Sequence, residues 1–246
     1  MNKFHPQLQQ LKITVLSGSG ISHPSGVPTF RGKDGLWNQY NVHELATPSA
    51  FENNPSLIWE WYHWRINLIR KAVPNGAHLI LAELEKFGSD IEILTQNVDD
   101  LQERAGTKTM THLHGEIMKT KCLNCNISSR INEAFLKDPG SSFIPKCSDC
   151  GGVLRPAVVW FGESLDQNNL VSSYQRLKVT DLLIIVGTSA VVYPVAEFPS
   201  FAKRHNPDIE ILEFNIETTP ISRIASKTFF GSIENTLDDF FTSYVP

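Results

Sequence analysis

The chain has 246 residues, of which 41% are hydrophobic and 20% charged, so it is long enough for one large domain or two small ones and too apolar to be disordered. Its net charge of −4 gives it no overall attraction to phosphate backbones or anionic membranes, which disfavours nucleic acid as a partner. No apolar run reaches the roughly 20 residues that span a bilayer, and residues 1–11 lack the apolar core of a secretory signal. We therefore expect a cytoplasmic monomer with neither a membrane nor a nucleic-acid partner.

Four short apolar runs predict the strands of a sheet: Ile13–Leu16, Ile91–Leu94, Leu182–Val186 and Ile209–Phe214. Helix-length segments at 77–87 and 196–205 alternate with them, which is typical of a parallel α/β sheet with helices on both faces. The predicted fold is therefore a Rossmann-like α/β domain formed by residues 1–31, 77–117 and 154–246. A helical insertion at 32–76, which contains most of the tryptophans, and a cysteine-containing module at 118–153 interrupt this pattern, and we expect them to form a smaller second lobe.

Small or polar residues follow each of the four predicted strands. The tails are Ser17–Ser22, Thr95–Asp99, Gly187–Ser189 and Asn215–Glu217. Because ligands of open α/β sheets bind outside the carboxyl ends of the strands, the four tails could line one shared cleft. Loops are polar in general, so a single tail indicates binding no more strongly than it indicates an ordinary loop.

The first tail contains Gly18-Ser19-Gly20, and glycines after a strand let backbone N–H groups approach a phosphate. The dehydrogenase fingerprint would need a third glycine at position 23, where this chain has His23, and the absence of a following Gly-Lys-Ser/Thr excludes a P-loop. A tight turn explains the two glycines equally well. Arg31, shortly after the loop, could meet a phosphate or close over a ligand.

All four cysteines lie in two Cys-x-x-Cys pairs, Cys122/Cys125 and Cys147/Cys150, with 21 residues between the pairs. This spacing is typical of a tetrahedral Zn²⁺ site with four thiolate ligands. Four protein ligands leave the metal no open position, so we expect one structural zinc ion per chain. A redox role would need a single Cys-x-x-Cys after a strand, which fits this arrangement much less well.

Polar side chains near the presumed cleft could carry chemistry. Gln96, Asn97 and Asp99 follow the second strand, and amides beside a carboxylate can orient ribose hydroxyls, an amide ligand or a water. His114 lies at the junction of the two lobes, where an imidazole suits general-base work near neutral pH. A lone histidine among the eight present is more often structural, so the pattern leaves both roles open.

A helix predicted from Asn54 to about Lys71 carries a charge on its apolar face. Asn54 and Pro55 are typical of a helix start. At about 100° per residue, Arg65 falls within the apolar stripe, and Tyr62 lies three residues earlier on the same face. A buried guanidinium is costly unless it meets an anion, so Arg65 either pairs with an internal carboxylate, snorkels to solvent or binds a substrate carboxylate.

Together these residues resemble the sirtuins, NAD-dependent protein-lysine deacylases. The resemblance covers residues 18 to about 231 and rests on Gly18–Ser22, Ser25–Arg31, Thr95–Asp99, Leu113–Gly115, both cysteine pairs, Phe161–Glu163, Gly187–Ser189 and Asn215. Tyr62, Arg65 and Ala46 resemble the desuccinylase and demalonylase branch, in which Tyr and Arg bind the distal carboxylate of the acyl group and a small Ala widens the acyl pocket. The chain departs from the family's usual Ala at Ser19 and from its usual Ala-Glu at His23-Pro24.

The resemblance implies that residues 1–31, 77–117 and 154–246 bind NAD as a co-substrate, and it assigns a role to each site residue. His114 would be the base that activates a ribose hydroxyl, and Asn97 would share the catalytic site. NAD would be bound by Gly18, Ser19, Gly20, Ile21, Ser22, Thr29, Phe30, Arg31, Gln96, Asn97, Asp99, Gly187, Thr188, Ser189, Asn215, Glu217 and Ile233. The acyl-lysine of a protein or peptide would be bound by Ala46, Tyr62, Arg65, Val158, Phe161, Gly162, Glu163 and Val192. The products would be nicotinamide, free lysine and O-acyl-ADP-ribose.

The sequence thus favours removal of succinyl and malonyl groups from lysine over removal of acetyl groups. Three alternatives fit the same residues. The first is a deacetylase in which Arg65 is structural, the second is ADP-ribosyl transfer or NAD hydrolysis, and the third is a non-enzymatic NAD sensor or zinc-mediated binding module.

Overall fold

The structure, a computed structural model, describes residues 4–32, 35–131, 133–136 and 144–243. Within these residues the strands are β1 (Lys12–Ser17), β2 (Asp90–Thr95), β3 (Met110–His112), β4 (Gly115–Cys122), β5 (Ser128–Arg130), β6 (Leu154–Val158), β7 (Leu182–Val186), β8 (Glu210–Asn215) and β9 (Lys227–Phe230). The α-helices are α1 (Leu36–Gln39), α2 (Val42–Leu45), α3 (Pro48–Asn53), α4 (Pro55–Lys71), α5 (Gly76–Lys86), α6 (Leu101–Ala105), α7 (Glu133–Leu136), α8 (Gln167–Lys178), α9 (Phe198–His205) and α10 (Ile233–Ser243). Short 3₁₀ helices lie at Pro6–Gln9, His23–Ser25, Val195–Glu197 and Pro220–Arg223.

Six parallel strands form the main sheet, in the order β3-β2-β1-β7-β8-β9. The four predicted apolar runs are its central strands, so the prediction of a parallel sheet is confirmed. The sequence prediction missed the two edge strands, β3 and β9, which have only three and four residues. At the carboxyl end of β1, Ser17 lies opposite both Thr95 and Val186, which brings the strand tails to one edge of the sheet.

Helices cover both faces of the main sheet, as predicted. All five residues of β7 are buried, and they alternate between two apolar cores. Leu182, Ile184 and Val186 belong to the core that contains α5 and α10, whereas Leu183 and Ile185 belong to the core that contains α8 and α9. A strand buried on both faces is apolar throughout, which explains the unbroken run in the sequence.

A third apolar core joins the helical insertion to a small antiparallel sheet of order β5-β4-β6. Trp59 of α4 packs in the same cluster as Ile117 of β4 and Val158 of β6. Helix α4 begins as predicted, because the Asn54 side chain accepts a hydrogen bond from the Leu57 N–H at 3.1 Å.

Val98 and Leu101, which follow β2, belong to this third core, so the small lobe packs against the carboxyl end of that main-sheet strand. The domain boundary predicted at 117/118 falls inside β4, and the one predicted at 153/154 falls at the first residue of β6. Parts of the two predicted insertions, residues 33–34, 132 and 137–143, lie outside the described residues. In the described part of the chain, no helix has both the length and the apolarity that crossing a bilayer requires.

Candidate active site

A cleft of about 640 Å³ lies outside the carboxyl ends of the central strands, between the main sheet and the small lobe. All four polar tails contribute to its wall, so the prediction of one shared cleft is confirmed. The predicted site residues that line it are Gly18, Ser19, Gly20, Thr29, Phe30, Arg31, Ala46, Tyr62, Arg65, Gln96, Asn97, His114, Val158, Phe161, Gly162, Glu163, Gly187, Thr188, Ser189, Val192, Asn215, Glu217 and Ile233. Ile21, Ser22 and Asp99 do not line the cleft but are buried behind its wall.

Hydrogen bonds between side chains and loops fix three of the tails relative to one another. Gln96 Nε2 donates to Thr188 Oγ1 at 2.9 Å, and Asn215 Nδ2 donates to the Thr188 carbonyl oxygen at 2.9 Å. Thr188 is buried at the centre of this junction. The tails of β2, β7 and β8 are therefore held together by the protein's own contacts, which preorganises the wall of the cleft.

The glycine loop packs directly against the end of β7. The N–H groups of Gly18 and Gly20 donate to carbonyls of Val186 and Gly187 at 2.9 and 2.8 Å. A Cβ added at Gly20 would lie 2.7 Å from the Gly187 Cα atom, so no larger residue fits without a shift of backbone. Among the described residues nothing accepts the Ser19 N–H, which leaves that group for a ligand. The close approach of the two loops therefore explains why glycines are needed at these positions. The Ser19 N–H is the one backbone donor of Gly18–Gly20 that is left for a phosphate.

A buried hydrogen-bonded chain holds Asn97 at the cleft wall. Asn97 Nδ2 donates to Ser22 Oγ at 3.1 Å, and Ser22 Oγ donates to Asp99 Oδ2 at 3.0 Å. His78 Nδ1 accepts the Asn75 N–H at 3.3 Å, and its Nε2 lies 3.4 Å from Ser22 Oγ, which fits the Nε2–H tautomer. Burial lowers the pKa of His78 to about 4, so its imidazole is neutral at pH 7. Burial also raises the pKa of Asp99, against the hydrogen bonds from Leu101 N–H and Ser22.

His114 has the geometry of a general base. Its Nδ1 lies 3.0 Å from the Gln96 carbonyl oxygen, and because a carbonyl only accepts, Nδ1 carries the hydrogen and Nε2 keeps its lone pair. Burial lowers the pKa of His114 below 6.5 and the charge of Arg31 lowers it further, although the Gln96 carbonyl opposes both. The imidazole is therefore neutral at pH 7 and able to accept a proton from a group in the cleft.

Arg65 is a buried cation at the cleft that forms no ion pair with an anion in the described part of the chain. Its guanidinium carbon lies 4.6 Å from the centroid of the Phe30 ring and 4.9 Å from that of Trp61. The residue is 5% exposed, and no described residue forms a hydrogen bond or ion pair with it. Burial lowers its pKa, while the Tyr62 phenol and Asp99 raise it. The structure therefore supports neither an internal salt bridge nor snorkelling to the surface.

The other polar groups beside Arg65 are also hydrogen-bond donors. Tyr62 Oη accepts the Trp160 indole N–H at 2.9 Å, and burial raises the pKa of the phenol, so the Tyr62 O–H is kept and is left to donate. The Trp61 indole N–H is buried and has no acceptor in the described part of the chain. This end of the cleft therefore presents donors and no carboxylate, a composition that suits an anion.

The segment 158–163 also lines the cleft, next to Tyr62, and an ion pair shapes it. Glu163 accepts two hydrogen bonds from the Arg155 guanidinium, at 2.5 and 2.9 Å, and a third from the Trp160 N–H at 2.8 Å. Burial raises the pKa of Glu163, but the hydrogen bonds from Arg155 and Trp160 outweigh it and lower the pKa. Phe161 N–H donates to the Ala46 carbonyl at 2.9 Å, which ties the segment to the helical insertion. The Glu163 carboxylate is thus engaged in holding this wall.

The four cysteines converge at the far end of the small sheet. Their sulfur atoms all lie within 4.8 Å of one another, with 3.5 Å between Cys122 and Cys150 and 3.8 Å between Cys125 and Cys147. A tetrahedral Zn²⁺ with bonds of about 2.3 Å to sulfur separates its ligands by about 3.8 Å. All four are free thiols. The donor set and its dimensions therefore fit a structural zinc ion.

Several residues that line the cleft were not predicted. Trp37 stacks between Phe30 and Trp61, with ring centroids 5.3 and 5.8 Å away, and extends the aromatic wall around Arg65. The concentration of tryptophans in 32–76 was the one sequence signal for this wall. Val98 and Ile216 lie within predicted tails without an assigned role, and His23 and Pro24 were noted only as departures from the family pattern. Trp61, Val159 and Trp160 adjoin predicted residues. The other unpredicted lining residues carry no pattern that separates them from ordinary loop residues: Gly32, Leu165, Tyr193, Thr219 and Ser232.

Comparison with known proteins agrees with this architecture. Residues 18–194 match the Sir2 family. The chain is 48% identical over 223 residues to a protein of Aquifex aeolicus named NAD-dependent protein deacylase, with 90% of each chain covered. It is 46% identical over 231 residues to a protein of the same name from Daphnia pulex, covering 84% of this chain and 83% of the other.

Solved structures show the same fold. A Sir2 homologue in complex with NAD has a TM-score of 0.86 at 42% identity, covering 96% of this chain and 90% of the other. A serine-to-alanine variant of a Sir2 homologue with ADP-ribose has a TM-score of 0.89 at 41% identity, covering 96% and 92%. The chain belongs to the Sir2 family.

Proposed function

We propose that this chain is an NAD-dependent protein-lysine deacylase that removes succinyl and malonyl groups in preference to acetyl groups. Membership of the Sir2 family supports the deacylase activity, since the relatives from Aquifex and Daphnia are named NAD-dependent protein deacylases. The preference for acidic acyl groups rests on one observation, the buried Arg65 guanidinium that lines the cleft without an ion-pair partner among the described residues.

The charge of Arg65 explains why an acidic acyl group would be favoured. A guanidinium removed from water is destabilising until an anion and hydrogen bonds compensate it. A carboxylate at the end of the acyl chain supplies both, because it accepts two parallel N–H bonds from one guanidinium. An acetyl group has no such atoms, so it would leave the buried charge uncompensated.

Tyr62 would complete the recognition of the carboxylate. A carboxylate has two oxygens with about four lone-pair sites, of which a bidentate Arg uses two. The Tyr62 O–H, which stays protonated and is free to donate, would fill a third. The small Ala46 also lines the cleft, on the segment that binds the Phe161 N–H, and it would leave room for the longer acyl chain.

The remaining wall would hold NAD and the substrate lysine. The tails of β1, β2, β7 and β8 would bind the co-substrate, with Asn97 fixed by Ser22 and with Arg31 near the pyrophosphate. His114 would accept a proton at Nε2 from a ribose hydroxyl that attacks the activated acyl group. Residues 158–163 and the stretch near Val192 would bind the backbone of the acylated peptide as an added strand.

Replacement of Arg65 by Met tests this proposal. With matched acetyl, succinyl and malonyl peptides at saturating NAD, the wild-type enzyme should turn over the acidic substrates faster. In the R65M variant, kcat/KM for the acidic peptides should fall roughly 10- to 100-fold, because hydrogen bonds to charged groups contribute about 1.5–3 kcal/mol. Deacetylation should fall much less.

Arg70 offers a matched control, since it is an exposed arginine on the same helix α4. The R70M variant removes the same charge and should leave the ratio of desuccinylation to deacetylation unchanged. Faster turnover of acetyl-lysine than succinyl-lysine by the wild-type enzyme would refute the acyl preference. The detection of free or protein-bound ADP-ribose in place of O-acyl-ADP-ribose would refute the deacylase activity.

A further inference from the structure

Two histidines hold successive carbonyl groups of the loop that follows β2. His114 Nδ1 lies 3.0 Å from the Gln96 carbonyl oxygen, and His112 Nδ1 lies 3.3 Å from the Asn97 carbonyl oxygen. His112 stands at the end of β3, directly opposite Thr95 in the register with β2. The two side chains are therefore hydrogen-bonded to adjacent peptide groups of one loop. The same loop contains Asn97, which lines the cleft.

The two histidines differ in what their second nitrogen meets. In the proposed activity His114 turns its Nε2 to the cleft as a base. His112 Nε2 instead lies 2.6 Å from Glu103 Oε1, a carboxylate of α6. Because a carbonyl and a carboxylate both only accept, His112 needs a hydrogen on each nitrogen to make both bonds. The geometry is thus that of an imidazolium held between Glu103 and the Asn97 carbonyl.

Glu103 is directed at His112. Its Oε1 makes the short contact with the imidazole, while its Oε2 is buried and has no hydrogen-bond partner in the described part of the chain. Because Oε2 is buried without a hydrogen bond, the hydrogen bond from His112 to Oε1 is the main interaction that stabilises the charge of this carboxylate. The His112 carbonyl also accepts the Asn169 side-chain N–H at 3.1 Å, which fixes the backbone of this histidine.

We propose that His112 and Glu103 form a positioning pair that holds the Asn97 carbonyl and keeps the Gln96–Asp99 loop in the shape that catalysis needs. Neither residue lines the cleft, so the pair acts through the loop and not on the substrate. The role requires the doubly protonated imidazole. Loss of either hydrogen breaks the connection between Glu103 and the loop.

The charged groups around the pair support its protonated state. Burial disfavours the imidazolium of His112, but the hydrogen bond and charge of Glu103, with a smaller contribution from Glu116, raise its pKa above 6.5. Glu116 itself pairs with Lys119 at 2.6 Å. The other charged residues on the walls of this second cavity, of about 450 Å³, are Asp99, Asp100, Arg104 and Arg130.

The Glu103→Gln variant tests the pair because it removes the charge and keeps the shape. The dependence of kcat/KM for NAD on pH reports the free enzyme, and its alkaline limb should follow proton loss from His112. An opposite charge at this distance typically shifts a pKa by about 1–3 units, so the limb should move to lower pH by that amount in E103Q. The acid limb, set by His114, should stay in place. The His112→Gln variant should abolish the alkaline limb.

The kinetic experiment depends on the proposed deacylase activity. Nitrogen-15 NMR of the imidazoles does not, so it tests the protonation of His112 independently. Both nitrogens of His112 should be protonated at pH 7 in the wild-type enzyme and one should be deprotonated in E103Q, whatever the acyl preference. The Asp100→Asn variant is the matched control, since Asp100 lines the same cavity but pairs with Arg104. It should move the limb less than E103Q does.

Three outcomes would overturn the positioning role. The first is a His112 imidazole that is neutral in the wild-type enzyme at pH 7. The second is an E103Q profile that falls in height while its alkaline limb stays in place, as a purely structural residue would produce. The third involves Glu103, His112 and Glu116, whose ligand atoms lie within 4.8 Å of one another. Binding of added Zn²⁺ to the His112 imidazole, lost in E103Q, would make this cluster a metal site instead.

Discussion

His78 shows how burial of a single titratable side chain couples the cleft to pH. Its imidazole is 1% exposed and lies behind the wall that Asn97 and Ser22 form. Burial lowers its pKa to about 4, against the ordinary value of 6.5, because the charged form loses its hydration. The unfolded chain therefore binds a proton on His78 more readily than the folded chain does.

The consequence for stability follows from proton linkage. The folded state should lose stability as the pH falls from 6.5 towards 4. At pH 5, His78 should lower the free energy of unfolding by about 2 kcal/mol relative to neutral pH. The free energy of unfolding in urea, measured at pH 7.5 and 5 for the wild type and His78→Gln, isolates this term, because the other groups titrate in both proteins. The stability advantage of the wild type should shrink by that amount. A pH-independent difference would contradict the burial of a neutral imidazole.

Packing between elements explains the glycine loop better than ligand binding does. The loop after β1 and the loop after β7 approach so closely that a Cβ on Gly20 would meet backbone atoms of Gly187 at 2.7–2.8 Å. Backbone cannot give way as a flexible side chain can, so an added methyl group costs stability. A larger residue at position 20 would require the backbone of one of the two loops to move.

The Gly20→Ala variant should lower the free energy of unfolding by about 1–3 kcal/mol, the usual cost of overpacking. It should also raise the KM for NAD, since the loop that carries the Ser19 N–H is displaced. Ser19→Ala is the matched control, because it leaves the backbone in place and should change stability by less than about 0.5 kcal/mol. Urea unfolding and NAD kinetics measure both effects, and equal stability losses in the two variants would argue against a steric cause.

At the level of the whole molecule, we expect the cleft to depend on the cysteine site, because the same strands connect the two. Strands β4 and β6 run from the cysteines to the cleft, and the Val159 N–H donates to the His114 carbonyl at 2.9 Å. The small sheet shares its apolar core with the helical insertion, and β5 at its edge is exposed throughout, so a metal-bound cysteine cluster would add to its stability.

Removal of zinc by a chelator should therefore abolish deacylation while the main sheet stays folded. Hydrogen exchange should speed up in residues 115–131 and 144–158, and the amides of β7 should stay protected, because all five β7 residues are buried between helix layers. Zinc content, activity and exchange should change together. A metal-free protein with full activity would show that the cysteines do not support the cleft.

Much of this architecture could be read from the chain before the structure. Apolar runs of strand length gave the four central strands, and the Asn54-Pro55 signal gave the start of α4. The edge strand β3 was not predicted because its three residues, Met110–His112, are too few to show a hydrophobic period. The small antiparallel sheet was not predicted because its strands do not alternate between buried and exposed residues: β4 is irregular and β5 is exposed throughout.

The site divides in the same way. The order of residues along the chain was sufficient to place Arg65 on an apolar face, to pair the cysteines and to gather four polar tails at one edge, because helix period, ligand spacing and parallel strands are local or repeating features. Contacts between distant segments settled the rest. They placed Arg65 among Phe30, Trp61 and Tyr62 with no ion-pair partner in the described part of the chain. They also put Ser22 and Asp99 behind the wall and set His112 against Glu103. The period of the sequence indicates whether a side chain faces the core. Its charge partners depend on packing between segments that are distant in the sequence, so only the tertiary structure identifies them.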